Sequence, residues 1–201
     1  ISALSQERNT PMSLATIPVS TPLQVNRAIL TATVALGWAG LIALIALALV
    51  LEDSQRAVAS LVFGVCLLLC SCCSYLYNLL ETPWRPVLRL LDHGAIFLLI
   101  AGTYTPFVAT GIEGPFGLGL LEWVWGLALV GIALKLILRE RGDRLFVPLY
   151  LALGWLFLSA LQSFVALNSL ASLVLLLIGG VAYTVGAAIY FRGIGRWTDA
   201  V

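Results

Sequence analysis

Charged residues and histidine are scarce in this chain. Only 10% of its 201 residues are Asp, Glu, Lys or Arg, and His93 is the one histidine. Soluble domains average about 25% charged residues, so the composition excludes an ordinary soluble domain. A single imidazole cannot make a metal site by itself. The net charge of +1 gives no support for nucleic-acid binding, and no nucleic-acid partner is expected.

Long uncharged stretches occupy most of the sequence, in which 61% of the residues are hydrophobic. Four stretches contain no Asp, Glu, Lys, Arg or His: 28–51, 57–80, 94–112 and 145–191. A hydrocarbon core of about 30 Å needs roughly 20 helical residues, so each stretch is long enough to cross a membrane. The last would be about 70 Å long as one helix, which predicts a reversal near Asn168.

These stretches, together with a further span near 118–138, predict an all-α transmembrane bundle. The further span is less clean, because it carries Glu122 and ends at Lys135. A transmembrane barrel is not indicated, since its strands are about ten residues long and alternate in polarity. The predicted fold class is a polytopic bundle with helices near 28–51, 57–80, 91–110, 117–138, 146–167 and 169–191.

The basic residues predict the orientation of the bundle. Lys and Arg collect in the cytoplasmic loops of membrane proteins. If the N-terminus is inside, all of the 11 Lys and Arg residues except Arg56 fall on the cytoplasmic side. The sequence therefore predicts an integral membrane protein with its N-terminus and Val201 both in the cytoplasm.

The two ends of the chain differ in composition from the middle. Residues 1–25 are rich in Ser, Thr and Pro, which predicts a disordered tail before a transmembrane domain of residues 26–201. The chain starts at Ile1, and its only methionine is Met12, so either the start has been clipped or Met12 is the initiator. It also stops abruptly after a basic cytoplasmic turn, and we expect a fragment.

All four cysteines fall in the predicted second helix, at positions 66, 70, 72 and 73. Zinc clusters need thiols that converge from loops or hairpins, and one lipid-embedded helix cannot turn four thiols inward. A disulfide framework is equally disfavoured. These cysteines are interpreted as small packing residues.

A few polar residues near the predicted cytoplasmic end are the main functional candidates, because polar groups are costly at membrane depth. Ser74 and Asn78 lie one turn apart on the second helix, and Asp92 is expected at the start of the third helix after a short linker. Asp92 can therefore approach Ser74 and Asn78 across the hairpin. Alternatively, Asp92 caps the third helix and Asn78 caps the second. The residues leave both interpretations open.

Two glycine-containing segments indicate close helix packing. In the third helix, Pro106 frees a carbonyl near Gly102, and the hydroxyl of Thr103 or Thr105 could satisfy the backbone locally. In the sixth helix, small residues within 179–187 form a face that lets helices approach closely.

Several of these segments resemble the hemolysin III family, the bacterial branch of the progestin and adipoQ receptor superfamily. Ser74-Tyr-Leu-Tyr-Asn78 is similar to the family's S-x-x-x-H on the second helix. The segment 91–107 is similar to its third-helix signature, which is the most specific match. Trp125, Gly131 and Lys135 are similar to its W…GI…K. Segments 154–155 and 179–190 also fit, and the resemblance covers roughly residues 60–201.

The resemblance implies a seven-helix protein of the bacterial inner membrane with its N-terminus inside, of which this chain holds six helices. In eukaryotic relatives a zinc ion is held by one histidine on the second helix and two on the seventh. Asn78 stands at the first of these positions and Asp199 at the second, and the third lies beyond Val201. The resemblance thus implies a degenerate metal site at Asn78 and Asp199, at which zinc is doubtful because a neutral amide is a weak zinc ligand.

Two functions follow from the resemblance. The first is a receptor-like, lipid-sensing or pore-related membrane protein without catalysis, with membrane lipids or a lipid-like ligand as partners. The second is a metal-dependent lipid amide hydrolase of ceramidase type, in which Asp92 orients a metal-activated water and Ser74 supports it. A transporter is disfavoured, since no broken helix pair or charge pathway is evident.

The predicted orientation can be tested by single-cysteine labelling on a cysteine-free background. A membrane-impermeant thiol reagent added to intact cells should label Glu113→Cys and Asn168→Cys, because both lie in predicted external turns. It should miss Arg89→Cys and Arg141→Cys until the cells are permeabilised. The reverse pattern would overturn the orientation.

Overall fold

The computed structural model describes residues 22–50, 52–112, 114–139, 143–167 and 169–193. Within these ranges the ordered elements are helices, and no strand occurs. The α-helices, in chain order, are α1 (Pro22–Val50), α2 (Ser54–Leu79), α3 (Arg85–Gly111), α4 (Pro115–Leu138), α5 (Asp143–Trp155), α6 (Leu161–Leu167) and α7 (Leu170–Gly193). A 3₁₀ segment, Leu156–Ala160, joins α5 to α6.

Six helical stretches in the described residues are long and apolar enough to cross a membrane, and α5, the 3₁₀ segment and α6 together form one of them. Their bounds are Arg27–Val50, Ser54–Leu79, Arg85–Ala109, Pro115–Leu138, Leu145–Ala166 and Leu170–Ile189. The predicted all-α polytopic bundle with six spans is confirmed.

The third helix begins earlier than the predicted start at 91. Thr82 closes a tight turn by accepting a hydrogen bond from the Trp84 amide at 2.9 Å, and α3 begins at Arg85 with a proline in its first turn. Proline suits this position because its fixed φ is already helical. Asp92 therefore lies about two turns inside α3, and its interpretation as an N-terminal cap is wrong.

The centre of the bundle is α3, which contacts α2, α4, α5 and α6. Its buried side chains include Phe97 and Tyr104, which join those of α4 and of the fifth span in one continuous core. The helices at the two ends of the chain are peripheral. Helix α1 packs on α2, and α7 packs on α5. The apolar, membrane-spanning part of α7, Leu170–Ile189, is 0% buried.

Two glycines bring α3 into direct contact with its neighbours. A Cβ atom at Gly131 of α4 would overlap the ring of Phe97, and one at Gly102 of α3 would lie 2.8 Å from the Cys66 Cβ of α2. The predicted packing role thus holds for Gly102. It does not hold for Gly179 in α7, where no described atom would lie within 4 Å of an added Cβ.

Polar side chains also link the helices through backbone carbonyls. The Tyr104 hydroxyl lies 2.8 Å from the Leu153 carbonyl oxygen and 2.9 Å from that of Gly154. These carbonyls stand where α5 gives way to the 3₁₀ segment. Tyr104 therefore ties α3 to the break in the fifth span.

One of the two threonines beside Pro106 donates to the backbone of its own helix, as predicted. The Thr103 hydroxyl donates to the Ile100 carbonyl at 2.6 Å rather than to the carbonyl of Gly102. The buried Thr105 hydroxyl has no hydrogen-bond partner among the described residues. Of these two threonines, Thr103 alone gives its hydroxyl to the α3 backbone in the described structure.

We expect Gly131→Ala to destabilise the protein by about 1–3 kcal/mol, because the added methyl must displace the buried Phe97 ring. Gly126→Ala is the matched control on the same helix, since no described atom lies within 4 Å of its added Cβ. Thermal unfolding in detergent should show a lower Tm for Gly131→Ala alone. Equal Tm values for the two variants would contradict the α3–α4 contact.

Candidate functional site

A pocket of about 330 Å³, which we call the site pocket, lies between α3, α5 and α7. The early turns of α3 form its floor. The first half of α5 forms one wall, and the second half of α7 forms the other. The residues that line it are Asp92, His93, Ile96, Phe146, Val147, Tyr150, Tyr183, Gly186 and Ala187.

Asp92 connects the site pocket to α2. Its side chain is half-buried and lies close to the side chain of Ser74, across the contact between α2 and α3. The thiols of Cys70 and Cys73 also lie near the carboxylate. Ser74 and Asp92, which the sequence predicted to be neighbours, are therefore brought together.

Asn78 is placed differently from Asp92. It is exposed, and its amide nitrogen donates to the Ser74 carbonyl at 2.8 Å and lies 3.5 Å from the Ser74 hydroxyl. Both partners belong to its own helix, so Asn78 holds the last turn of α2 and is not among the residues that line the site pocket. Asp199, the other predicted metal ligand, lies outside the described residues.

Two tyrosines complete the polar part of the site pocket. The Tyr150 hydroxyl donates to the His93 carbonyl at 2.8 Å and fixes α5 against α3. Tyr183 of α7 is 36% exposed and lines the opposite wall. Tyr150 was not predicted from the sequence. It lies one turn after Phe146 in an uncharged stretch, and this spacing indicates a polar group on an aromatic helix face.

The described residues do not make a zinc site. They contain no group of three His, Cys, Asp or Glu side chains that could hold a metal ion. Asp92 and His93 are adjacent on α3 and so point about 100° apart around the helix, while Asn78 is directed to its own helix.

The site pocket combines a hydrogen-bonding end with apolar walls. A carboxylate, an imidazole and two tyrosine side chains line it, alongside the aliphatic side chains of Ile96 and Val147. Such an arrangement can orient an amphiphilic molecule by its polar head.

These features define a helical integral membrane protein with a pocket between three of its helices. A family model described as haemolysin-III related matches residues 27–194. The chain therefore belongs to the haemolysin-III related family.

Two relatives show the extent of this similarity. The chain is 40% identical to the "Hemolysin-3 homolog" of Bacillus subtilis (strain 168) over 130 residues, which are 64% of this chain and 61% of the relative. It is 36% identical to the "Hemolysin-3" of Bacillus cereus over 138 residues, 68% of this chain and 63% of the relative. The chain thus spans less than two thirds of the length of these relatives. No solved structure matches the chain.

The proximity of Ser74 to Asp92 leads to a contrast between two α2 variants. Ser74→Ala removes the partner of a half-buried carboxylate and should destabilise the protein by about 1 kcal/mol. Asn78→Ala removes an exposed amide and should change stability by less than about 0.5 kcal/mol. Thermal unfolding in detergent measures both, and a larger loss for Asn78→Ala would contradict the described site.

Proposed function

We propose that the protein is a receptor-like membrane protein that binds a lipid-like amphiphile in the site pocket. The polar head of the ligand would lie at Asp92 and His93, and its hydrocarbon part would lie between α5 and α7. The proposed location is the bacterial inner membrane, with the N-terminus in the cytoplasm. The observation that carries the proposal is a pocket with a carboxylate at one end and apolar side chains along its walls.

The size of the site pocket supports a ligand with one hydrocarbon chain. Small-molecule pockets measure about 300–1,000 Å³, and this one lies near the lower limit at about 330 Å³. It can hold a head group and part of a single chain, but a two-chain lipid would fill more space than it offers. The remainder of the chain would extend into the bilayer.

The position of α7 supports entry of the ligand from the membrane. This helix forms one wall of the site pocket, yet its membrane-spanning part is 0% buried. Its main contact is with α5. A wall with so few neighbours can separate from α3 without breaking a large buried interface. An amphiphile dissolved in the bilayer would therefore reach the polar end by passing beside α7.

The chemistry at the polar end favours a head group that donates hydrogen bonds. Asp92 offers carboxylate oxygens at this end of the site pocket. A cationic amine, an amide N–H or a hydroxyl complements that acceptor, whereas a carboxylate head would be repelled by it.

A metal-dependent lipid amide hydrolase is the second candidate. The observation that favours it is the proximity of Ser74 to Asp92, the two residues to which the family resemblance assigns catalysis. The described residues do not make the metal site that would activate a water for this reaction, so the binding function is the better supported of the two. Release of a free amine from an amide-linked long-chain substrate by the purified protein would favour the hydrolase.

We expect a fluorescent long-chain amine to bind saturably to the protein in nanodiscs. Asp92→Asn should weaken its binding at least about ten-fold, because a charge-assisted hydrogen bond is lost. Glu122→Gln is the matched control, since it neutralises an exposed carboxylate on α4 that does not line the site pocket. A long-chain fatty acid with the same fluorophore should bind more weakly than the amine.

Fluorescence titration against protein-free nanodiscs separates binding from simple partitioning. Equal signals with and without protein would refute the proposed function. An equal loss in Asp92→Asn and Glu122→Gln would show that bulk negative charge, and not the site pocket, attracts the probe.

A further inference from the structure

Lys135 occupies an unexpected place in the bundle. The sequence suggests an orientation signal, a cation in the last turn of α4 beside the basic loop that follows. A lysine so close to a helix end can extend its amino group to the membrane interface at low cost. Instead, Lys135 is 2% exposed and is among the largest fully buried side chains of the described structure.

The buried amino group lies against the aromatic wall of the site pocket. Its nitrogen is 4.9 Å from the centroid of the Phe146 ring, within the range of a cation–π contact. Phe146 is itself 1% exposed and lines the site pocket. Lys135 thus stands behind a side chain that a ligand would touch.

The Phe146 ring belongs to a small aromatic cluster. It meets Phe97 edge-to-face at 6.2 Å, and Phe97 in turn lies 4.5 Å from the Tyr150 ring. Gly131, one turn before Lys135 on α4, leaves the space that Phe97 fills. Helix α4 therefore contacts this cluster at two places. At Gly131 the absence of a side chain makes room for the Phe97 ring, and at Lys135 the cation contacts the Phe146 ring.

We propose that Lys135 is a positioning residue for the site pocket. Its cation holds the Phe146 ring in the orientation that forms the α5 wall, and so sets the affinity of the pocket for its ligand. A methionine or leucine would fill the same volume without the cost of a buried charge, so the charge itself is the useful feature. The effect on ligand affinity rests on the proposed function, whereas the effect on the ring does not.

The ring orientation can be tested without any ligand. For this test, 4-fluorophenylalanine is incorporated at position 146 of the full chain. Its ¹⁹F resonance is then recorded with the protein in nanodiscs. Lys135→Met should move this resonance, and Lys135→Arg should restore it, because arginine keeps the cation. The control label is 4-fluorophenylalanine at position 157, whose ring packs against Tyr104, Phe107 and Phe164. An unchanged resonance at 146 in Lys135→Met would overturn the proposal.

The effect on affinity can be tested by graded fluorination of the ring at position 146. Each added fluorine weakens the attraction of the ring for a cation with little change in its size. Binding of the fluorescent long-chain amine should weaken in steps, by about three- to ten-fold in total. In the Lys135→Met background the same series should be flat, since the coupling between the two positions is gone.

The outcomes separate the two proposals. Graded fluorination changes the contact between the Phe146 ring and the Lys135 cation. It does not change the other contacts of Lys135. If the amine fails to bind the unmodified protein, the proposed function is wrong, and the ¹⁹F resonance still decides the role of Lys135. If the amine binds but fluorination changes nothing, or changes both backgrounds equally, Lys135 is only a packing residue. Similar Tm values for Lys135→Met and Lys135→Arg would show that the comparison is made between folded proteins.

Discussion

The bilayer core offers no water to satisfy polar groups, and the arrangement of this bundle follows from that constraint. Tyr104 of α3 donates to the backbone at the break in the fifth span, and Tyr150 of α5 donates to the backbone of α3. Trp155 donates to Thr184 of α7 at 3.0 Å, and Thr184 donates to a carbonyl of its own helix. These bonds tie α3 to α5 and the fifth span to α7, and the site pocket is the space between those three helices.

Much of the fold could be predicted from the sequence because membrane thickness fixes the length of each span. Uncharged stretches marked five of the six spans, and the remaining span was predicted although it carries Glu122 and Lys135. The start of α3 was missed because Arg85 and Arg89 were taken for loop residues, although both lie within the helix. The 3₁₀ segment could not be predicted, because hydropathy reports burial in lipid and carries no information on the backbone hydrogen-bond pattern.

The candidate site was predictable only where its residues are close in sequence. Ser74 and Asp92 flank one hairpin, so their approach followed from helix spacing. The walls of the site pocket come from α5 and α7, far along the chain. Helix α7 is apolar around its full circumference, so no stripe reveals which face turns inward. The burial of Lys135 was hidden for the same reason, and Asp199 lies outside the described residues.

Binding of an amphiphile between α3, α5 and α7 is the claim that unites these observations, and photo-crosslinking tests it most directly. A long-chain amine with a diazirine near its head is irradiated with the full chain in nanodiscs, and the modified residues are mapped by mass spectrometry. Crosslinks should concentrate on residues 92–96, 146–150 and 183–187 and disappear with excess unlabelled amine. Crosslinks spread over the lipid-facing sides of α1 and α4, and unaffected by competitor, would contradict a ligand site in this pocket.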